Sequence, residues 1–257
     1  KAGGFLPAEP GWWPWAWPYY YGGALFDPKA GKVTADRPEN VKAYEWMAGY
    51  AKRYGSESFQ DFRQGFGGFN SNQNAFISGK IASVLQGVWM ANFIQKYNKD
   101  LDWAAAPFPY PKDKPELKGG SMVDLDIIVI PRGAKHPKEA FEFLKYLESQ
   151  GPMEKLCLGQ KKFSPLMDQS PDFEKGHPNP FIHLFREMAK QPTTIQPPKT
   201  PIWAEYQAEL GAMVDDMNLG RMKPSDAMKK LQAKMQPIQE DFDEINKARE
   251  AKEGAKK

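Results

Sequence analysis

Residues 11–23 read Gly-Trp-Trp-Pro-Trp-Ala-Trp-Pro-Tyr-Tyr-Tyr-Gly-Gly, seven aromatics and two prolines with no charge. Indole and phenol rings offer flat apolar faces with an N–H or O–H at the edge. Trp12, Trp13, Trp15, Trp17 and Tyr21 therefore suit a ligand that is apolar on one face and hydroxylated at its rim, as a sugar is. The same rings could instead tuck into a core, and the spacing leaves both readings open. Pro14 and Pro18 argue for a stiff, irregular loop rather than a regular helix, while Gly22 and Gly23 permit close backbone approach.

Other chemistry is thinly represented. Asp124 and Asp126 lie two apart on an expected strand, which puts both carboxylates on one face, but no neighbouring signal fixes a substrate between them. His136, His177 and His183 are far apart, with no HExxH or Cys/His spacing, so no metal is expected. Cys157 is the single cysteine, flanked by leucines, and reads as a buried inert thiol. No Gly-x-Ser-x-Gly elbow and no phosphate loop occurs. These absences favour binding over catalysis, with no catalytic residue and no cofactor.

The elements that must position such a site follow from periodicity. A chain of 257 residues, 41% hydrophobic and 26% charged, has material for one large or two small globular domains. Its net charge of +3, with basic and acidic residues interleaved, does not indicate nucleic acid. No apolar run approaches the roughly 20 residues of a membrane span. Residues 27–36 read as a turn between two short extended pieces. Helices are expected over 38–54, 73–78, 88–97, 137–149, 181–190, 202–217 and 224–251 from apolar stripes bounded by Pro and Gly. Strands are expected over 81–85, 103–108 and 124–130, the last apolar enough to be buried on both faces. Helices interleaved with strands make the fold class α/β.

The order of segments carries a resemblance. Gly4-Phe-Leu-Pro, the Trp-rich loop closing on Tyr21-Gly22-Gly23, Arg37-Pro-Glu-Asn-Val-Lys-Ala-Tyr-Glu-Trp-Met, and the run from Phe76 through Gln86-Gly87-Val88-Trp89 come first. Ala105-Ala-Pro-Phe-Pro and Gly119-Gly120 ahead of Lys138-Glu-Ala-Phe-Glu-Phe-Leu follow. Together they resemble the extracellular solute-binding proteins of ABC sugar importers, family 1, in the group related to maltose-binding protein. The resemblance implies a periplasmic binding protein-like (type II) fold, two lobes with the ligand in the cleft between them. It implies that 1–116 is second lobe, 117–169 a return to the first lobe, and 170–257 a second-lobe helical segment. The chain then reads as a C-terminal fragment, whose strand at 124–130 and helix at 137–149 are expected to expose apolar faces.

By the same resemblance the aromatic loop and Tyr21 face the cleft, Trp89 ends a second-lobe strand, and Trp203 stacks on a sugar ring. Gly119, Gly120 and Ser121 lie where the chain crosses between lobes and offer backbone donors, while Gln86 hydrogen-bonds hydroxyls. The expected function is binding of a sugar or oligosaccharide for an importer, by stacking and hinge closure, without enzymatic activity. Its partners would be the ligand and membrane permease subunits, in a periplasmic or extracellular setting with lipid anchoring left open, the complete protein being a monomer. The alternatives are a carbohydrate-active enzyme or its sugar-binding module, and an importer protein for a non-sugar solute.

Overall fold

A proline lacks the N–H that a first-turn residue leaves unused in any case, and the aromatic segment uses this twice. In the computed structural model, which describes residues 3–7 and 13–254, Pro14–Ala16 forms a 3-10 turn and Trp17–Tyr20 (α1) a single α-turn. The expected irregular loop is thereby corrected: each proline begins a turn instead of preventing one. Trp12 lies outside the described residues. The segment closes with Tyr21 N donating to Pro18 O and Gly22 N to Tyr19 O, both at 3.0 Å.

The expected turn after it is a hairpin of β1 (Phe26–Asp27) and β2 (Lys32–Val33), antiparallel with Phe26 opposite Val33. Asp27 Oδ1 accepts the N–H groups of Lys29 and Ala30 inside the turn. Helices α2 (Pro38–Tyr54), α3 (Ser56–Gly65), α4 (Met90–Tyr97), α5 (Pro137–Leu147), α6 (Gln150–Gln160), α7 (Ile182–Ala189), α8 (Trp203–Asn218) and α9 (Pro224–Gly254) follow. The outer edge of so short a hairpin would leave backbone groups unpaired. Two glutamines of α9 bond it instead. Gln232 Oε1 accepts Ala35 N at 2.8 Å and its Nε2 donates to Val33 O at 2.9 Å, while Gln236 Oε1 accepts Val33 N at 2.9 Å.

The main core lies where α1, α2, α8 and α9 meet. Trp15, Trp17, Tyr44, Tyr206, Leu210, Met228, Leu231 and Met235 are all buried there. The buried phenols find acceptors, Tyr44 Oη donating to Pro14 O (3.1 Å) and Tyr206 Oη to Leu25 O (2.9 Å). Asn40, fully buried in the first turn of α2, donates through Nδ2 to Ala24 O, Thr34 O and Ala35 O at 2.7–3.0 Å. A Cβ at Gly23 would sit 2.1 Å from Asn40 Oδ1, so this position has room for glycine alone. Trp46, off the apolar stripe of α2, joins a second aromatic group with Trp17 (5.2 Å) and Tyr50 (5.3 Å).

Several expectations are corrected. Residues 73–78 form turns rather than a helix, with Asn74 Oδ1 accepting the N–H groups of Phe76 and Ile77. Helices α3 and α6 were not expected: α3 buries only Phe59, and Gly151, Pro152 and Gly159 disguise α6. The strand at 81–85 reduces to one parallel bridge, Gly3 to Ile81, and 103–108 is unpaired. The strand at 124–130 is unpaired as well and is not buried, Ile127 being 76% exposed with Leu125, Ile128 and Val129 also open. Phe143 on the apolar stripe of α5 is exposed, as are Phe141 and Tyr146, so 124–130 and α5 present the open apolar faces expected of them in the fragment reading. A strand pairs only where a neighbour offers N–H and C=O groups, and among the described residues 121–123 find one at Ile195 while 124–130 find none. There, Val123 N donates to Ile195 O and Ile195 N to Ser121 O, both at 2.9 Å, so the two segments lie side by side and run in the same direction.

Asn40→Ala removes a donor from three carbonyls, of which Ala24 O keeps the Thr34 hydroxyl and Thr34 O the Arg37 N–H, and is expected to cost about 1–3 kcal/mol. Gly23→Ala is expected to destabilise comparably, and urea denaturation with an unchanged m-value measures both. The open apolar surface of 125–129 and α5 should bind anilinonaphthalene sulfonate and drive self-association. Replacing Ile127 and Phe143 by Asp together should suppress both effects in fluorescence and sedimentation, with the fold unchanged by circular dichroism.

Candidate functional site

Trp89 is held by the two residues that precede its own turn. Its indole Nε1 donates to Gln86 Oε1 at 3.0 Å. A Cβ at Gly87 would lie 2.3 Å from the six-membered ring, so the indole rests directly on the backbone at that glycine. Gln86 therefore meets Trp89, and it fixes how the ring is turned. Phe69 (5.9 Å) and Trp13 (5.7 Å, edge-on) pack against the same indole.

From Trp13 the aromatics continue without a break. Trp13 and Trp15 are stacked at 6.3 Å, Trp15 meets Trp203 edge-to-face at 5.5 Å, and Trp203 meets Tyr206 at 5.7 Å. Three stretches distant in sequence thus form one band, Phe69–Trp89–Trp13–Trp15–Trp203. Within it Trp13, Trp89 and Trp203 are half-buried, whereas Trp15 is 2% exposed. Trp15 and Trp17 belong to the core, with their faces taken up by protein neighbours: Trp17 contacts Trp46 and Phe108 away from the band. This corrects their expected place on the cleft surface, because rings this buried offer no face to a ligand.

Tyr21, Gly22, Gly23, Gly119, Gly120 and Ser121 stand elsewhere, around the paired segments at Met122 and Ile195. Tyr21 packs on Trp46 at 6.0 Å. Gly22 (φ +75°) approaches the Lys114 side chain, and Gly119 takes φ +77°. The N–H of Gly120 closes a turn on Leu117 O, and the buried Ser121 hydroxyl donates to Met188 O at 3.1 Å. Beside them Tyr19, Tyr20, Leu117, Gly120, Ser121, Thr193 and Ile195 line a small apolar recess. Burial pushes the Tyr19 phenol up to about 12 and raises those of Tyr20 and Tyr21 further. All three remain neutral hydroxyls near pH 7.

The remaining candidates do not converge. Asp124 Oδ1 accepts its neighbour's N–H from Leu125, while Asp126 pairs with Lys162 at 3.0 Å, so the two carboxylates have separate partners. Burial raises the Cys157 thiol above its ordinary value, which disfavours the nucleophilic thiolate. Among the described residues no three His, Cys, Asp or Glu side chains gather as a metal site would require. Phe69, Lys162 and Asn179 were absent from the expected site. Phe69 lies in a Gly/Asn-rich stretch, and Lys162 and Asn179 lie in segments without periodicity, so only tertiary contact reveals them.

Residues 3–180 match the family model described as bacterial extracellular solute-binding protein. A maltotriose-binding protein of Pyrococcus abyssi is 19% identical over 201 residues, 76% of this chain and 42% of that protein. Among solved structures, CpMnBP1 with mannotriose bound matches with a TM-score of 0.77 at 22% identity, over 91% of this chain and 59% of that one. The cyclic alpha-maltosyl-1,6-maltose binding protein of Arthrobacter globiformis matches with a TM-score of 0.61 at 14% identity, over 94% and 60%. The chain spans less than half the length of the curated relative and about three fifths of each solved chain. These likenesses establish the α/β, type II periplasmic binding protein architecture, of which this chain carries part.

Gly87→Ala is expected to push the Trp89 indole off its seat without unfolding the chain. A changed near-ultraviolet circular dichroism spectrum with a thermal midpoint within about 2–4 °C of the parent, the shift of roughly 1 kcal/mol in a chain of this size, checks this.

Proposed function

The chain belongs to the bacterial extracellular solute-binding protein family, and from that premise we propose that it binds a neutral oligosaccharide for an ABC importer. The observation that carries this reading is the aromatic band. Trp13, Trp89 and Trp203 sit half-buried along it, braced by the buried Trp15. Pyranose rings are apolar on their C–H faces, so a row of indoles suits consecutive sugar units, while backbone and side-chain polar groups meet the hydroxyls at the rim. The sugar ligands named for the relatives, maltotriose and mannotriose among them, support the same substrate class.

Binding would act by closure rather than by reaction. In this reading 1–116 and 170–257 form one wall, and 117–169 belongs to the opposing one. The packing of α5 chiefly against α6 supports such a division. A ligand gripped by both walls favours the closed form by its differential affinity, and permease subunits reading that form would couple binding to transport. The protein would then work outside the cytoplasmic membrane, in the periplasm or at the cell surface.

Titration calorimetry with mannotriose and maltotriose tests the reading, and chromatography of the incubated sugar checks that no cleavage product forms. Trp89→Ala and Trp203→Ala are each expected to weaken binding by about 1–3 kcal/mol with folding intact. Trp15→Ala is expected to act mainly on stability, by about 3–5 kcal/mol, as the loss of a fully buried indole does.

A further inference from the structure

One charged pair lies against the aromatic band. Lys162 Nζ stands 5.9 Å from the Trp89 ring centroid and 3.0 Å from Asp126 Oδ2. The Asp126 side chain is 93% exposed and that of Lys162 29%. With the carboxylate this open to water, the ion pair contributes little to folding.

Its position, by contrast, is tightly specified. Lys161 ends α6 in the left-handed conformation (φ 54°), a strained backbone for a residue with a side chain, and this reverses the chain at Lys162. Asn179, 1% exposed, donates through Nδ2 to Val88 O and Lys161 O, both at 3.3 Å. One buried amide thus ties the residue before Trp89 to the residue before Lys162. His177 Nδ1 accepts Asn179 N, which leaves Nε2–H to donate to Lys162 O at 3.1 Å. Strain and a fully engaged buried amide are both spent on setting an ammonium beside one indole.

We infer that Lys162 and Asp126 determine specificity at the Trp89 end of the band, admitting neutral hydroxylated sugar units and discriminating against carboxylated ones. The inference rests on the oligosaccharide reading above. The ammonium donates to, and the solvent-facing carboxylate accepts from, the hydroxyls of a sugar stacked on Trp89. Asp126 also neutralises Lys162, so a uronate finds no net positive charge there and meets a carboxylate at close range.

The test compares two ligands, mannotriose and the same trisaccharide with a terminal uronic acid, titrated by tryptophan fluorescence into the full chain, Asp126→Asn and Lys162→Met. Asp126 is open and Lys162 part-buried, and the ratio of the two affinities cancels any inactive fraction. Expected is a preference for the neutral sugar in the parent and a shift of roughly tenfold toward the uronate in Asp126→Asn, fading at high salt. Lys162→Met is expected to shift the ratio the other way. An unchanged ratio across all three proteins, with mannotriose still bound, overturns the role of the pair and leaves the oligosaccharide reading standing. Binding of neither ligand by the parent overturns that reading and this inference together.

Discussion

The desolvated indole of Trp15 joins the core to the surface. On one side it packs with Trp13, on another it meets Trp203 edge-to-face, and Tyr19 closes a third at 6.2 Å. Such contacts are non-directional in their main term, the removal of apolar area from water, but the ring quadrupole selects the offset and edge-on geometries seen here. Because Trp15 is part of the core shared by α2, α8 and α9, the half-buried rings on either side inherit the rigidity of that core. The prolines matter for the same reason: they set the backbone of Trp13 to Tyr20 at little entropic cost.

Polar groups give the band its orientation. The Gln86 carbonyl holds the Trp89 N–H, glycine at 87 lets the ring lie on the backbone, and Asn179 anchors the carbonyl of Val88 to a different segment. A buried polar atom is costly unless it is bonded, so each of these contacts excludes alternative arrangements as much as it stabilises the present one. The glutamines that bond the hairpin edge follow the same logic on the far side of the core.

The part of the chain between the paired residues Met122 and Ile195 is organised differently. Its small cluster of Met153, Cys157 and Phe173 buries little, and the apolar run from Leu125 to Val129 has no strand beside it among the described residues. Hairpins and helices satisfy their backbone within a short stretch of chain; an extended segment cannot. This is why α5 and α6 form locally although the residues 124–130 that lead to them remain unpaired.

How much of this was readable from the amino acids depends on how local the cause is. α2 was legible to its ends because Pro38, the stripe Val41, Tyr44, Met47 and Ala51, and Gly55 all act within the helix itself. The aromatic segment announced a special surface by composition, and the order of motifs pointed to a family of solute-binding proteins. The same composition could not separate Trp15 and Trp17 from Trp13, since adjacent indoles look alike until a core encloses some of them. Nor could it reveal that Gln86 serves Trp89, or that Phe69 and Lys162 reach the same ring. Sequence by itself determined the helices whose stripe and end signals are internal, as in α2, the hairpin turn, and the chemical character of the candidate site. Tertiary structure alone decided which rings are buried and which side chains meet, because burial and pairing are properties of neighbours brought together across more than a hundred residues of chain.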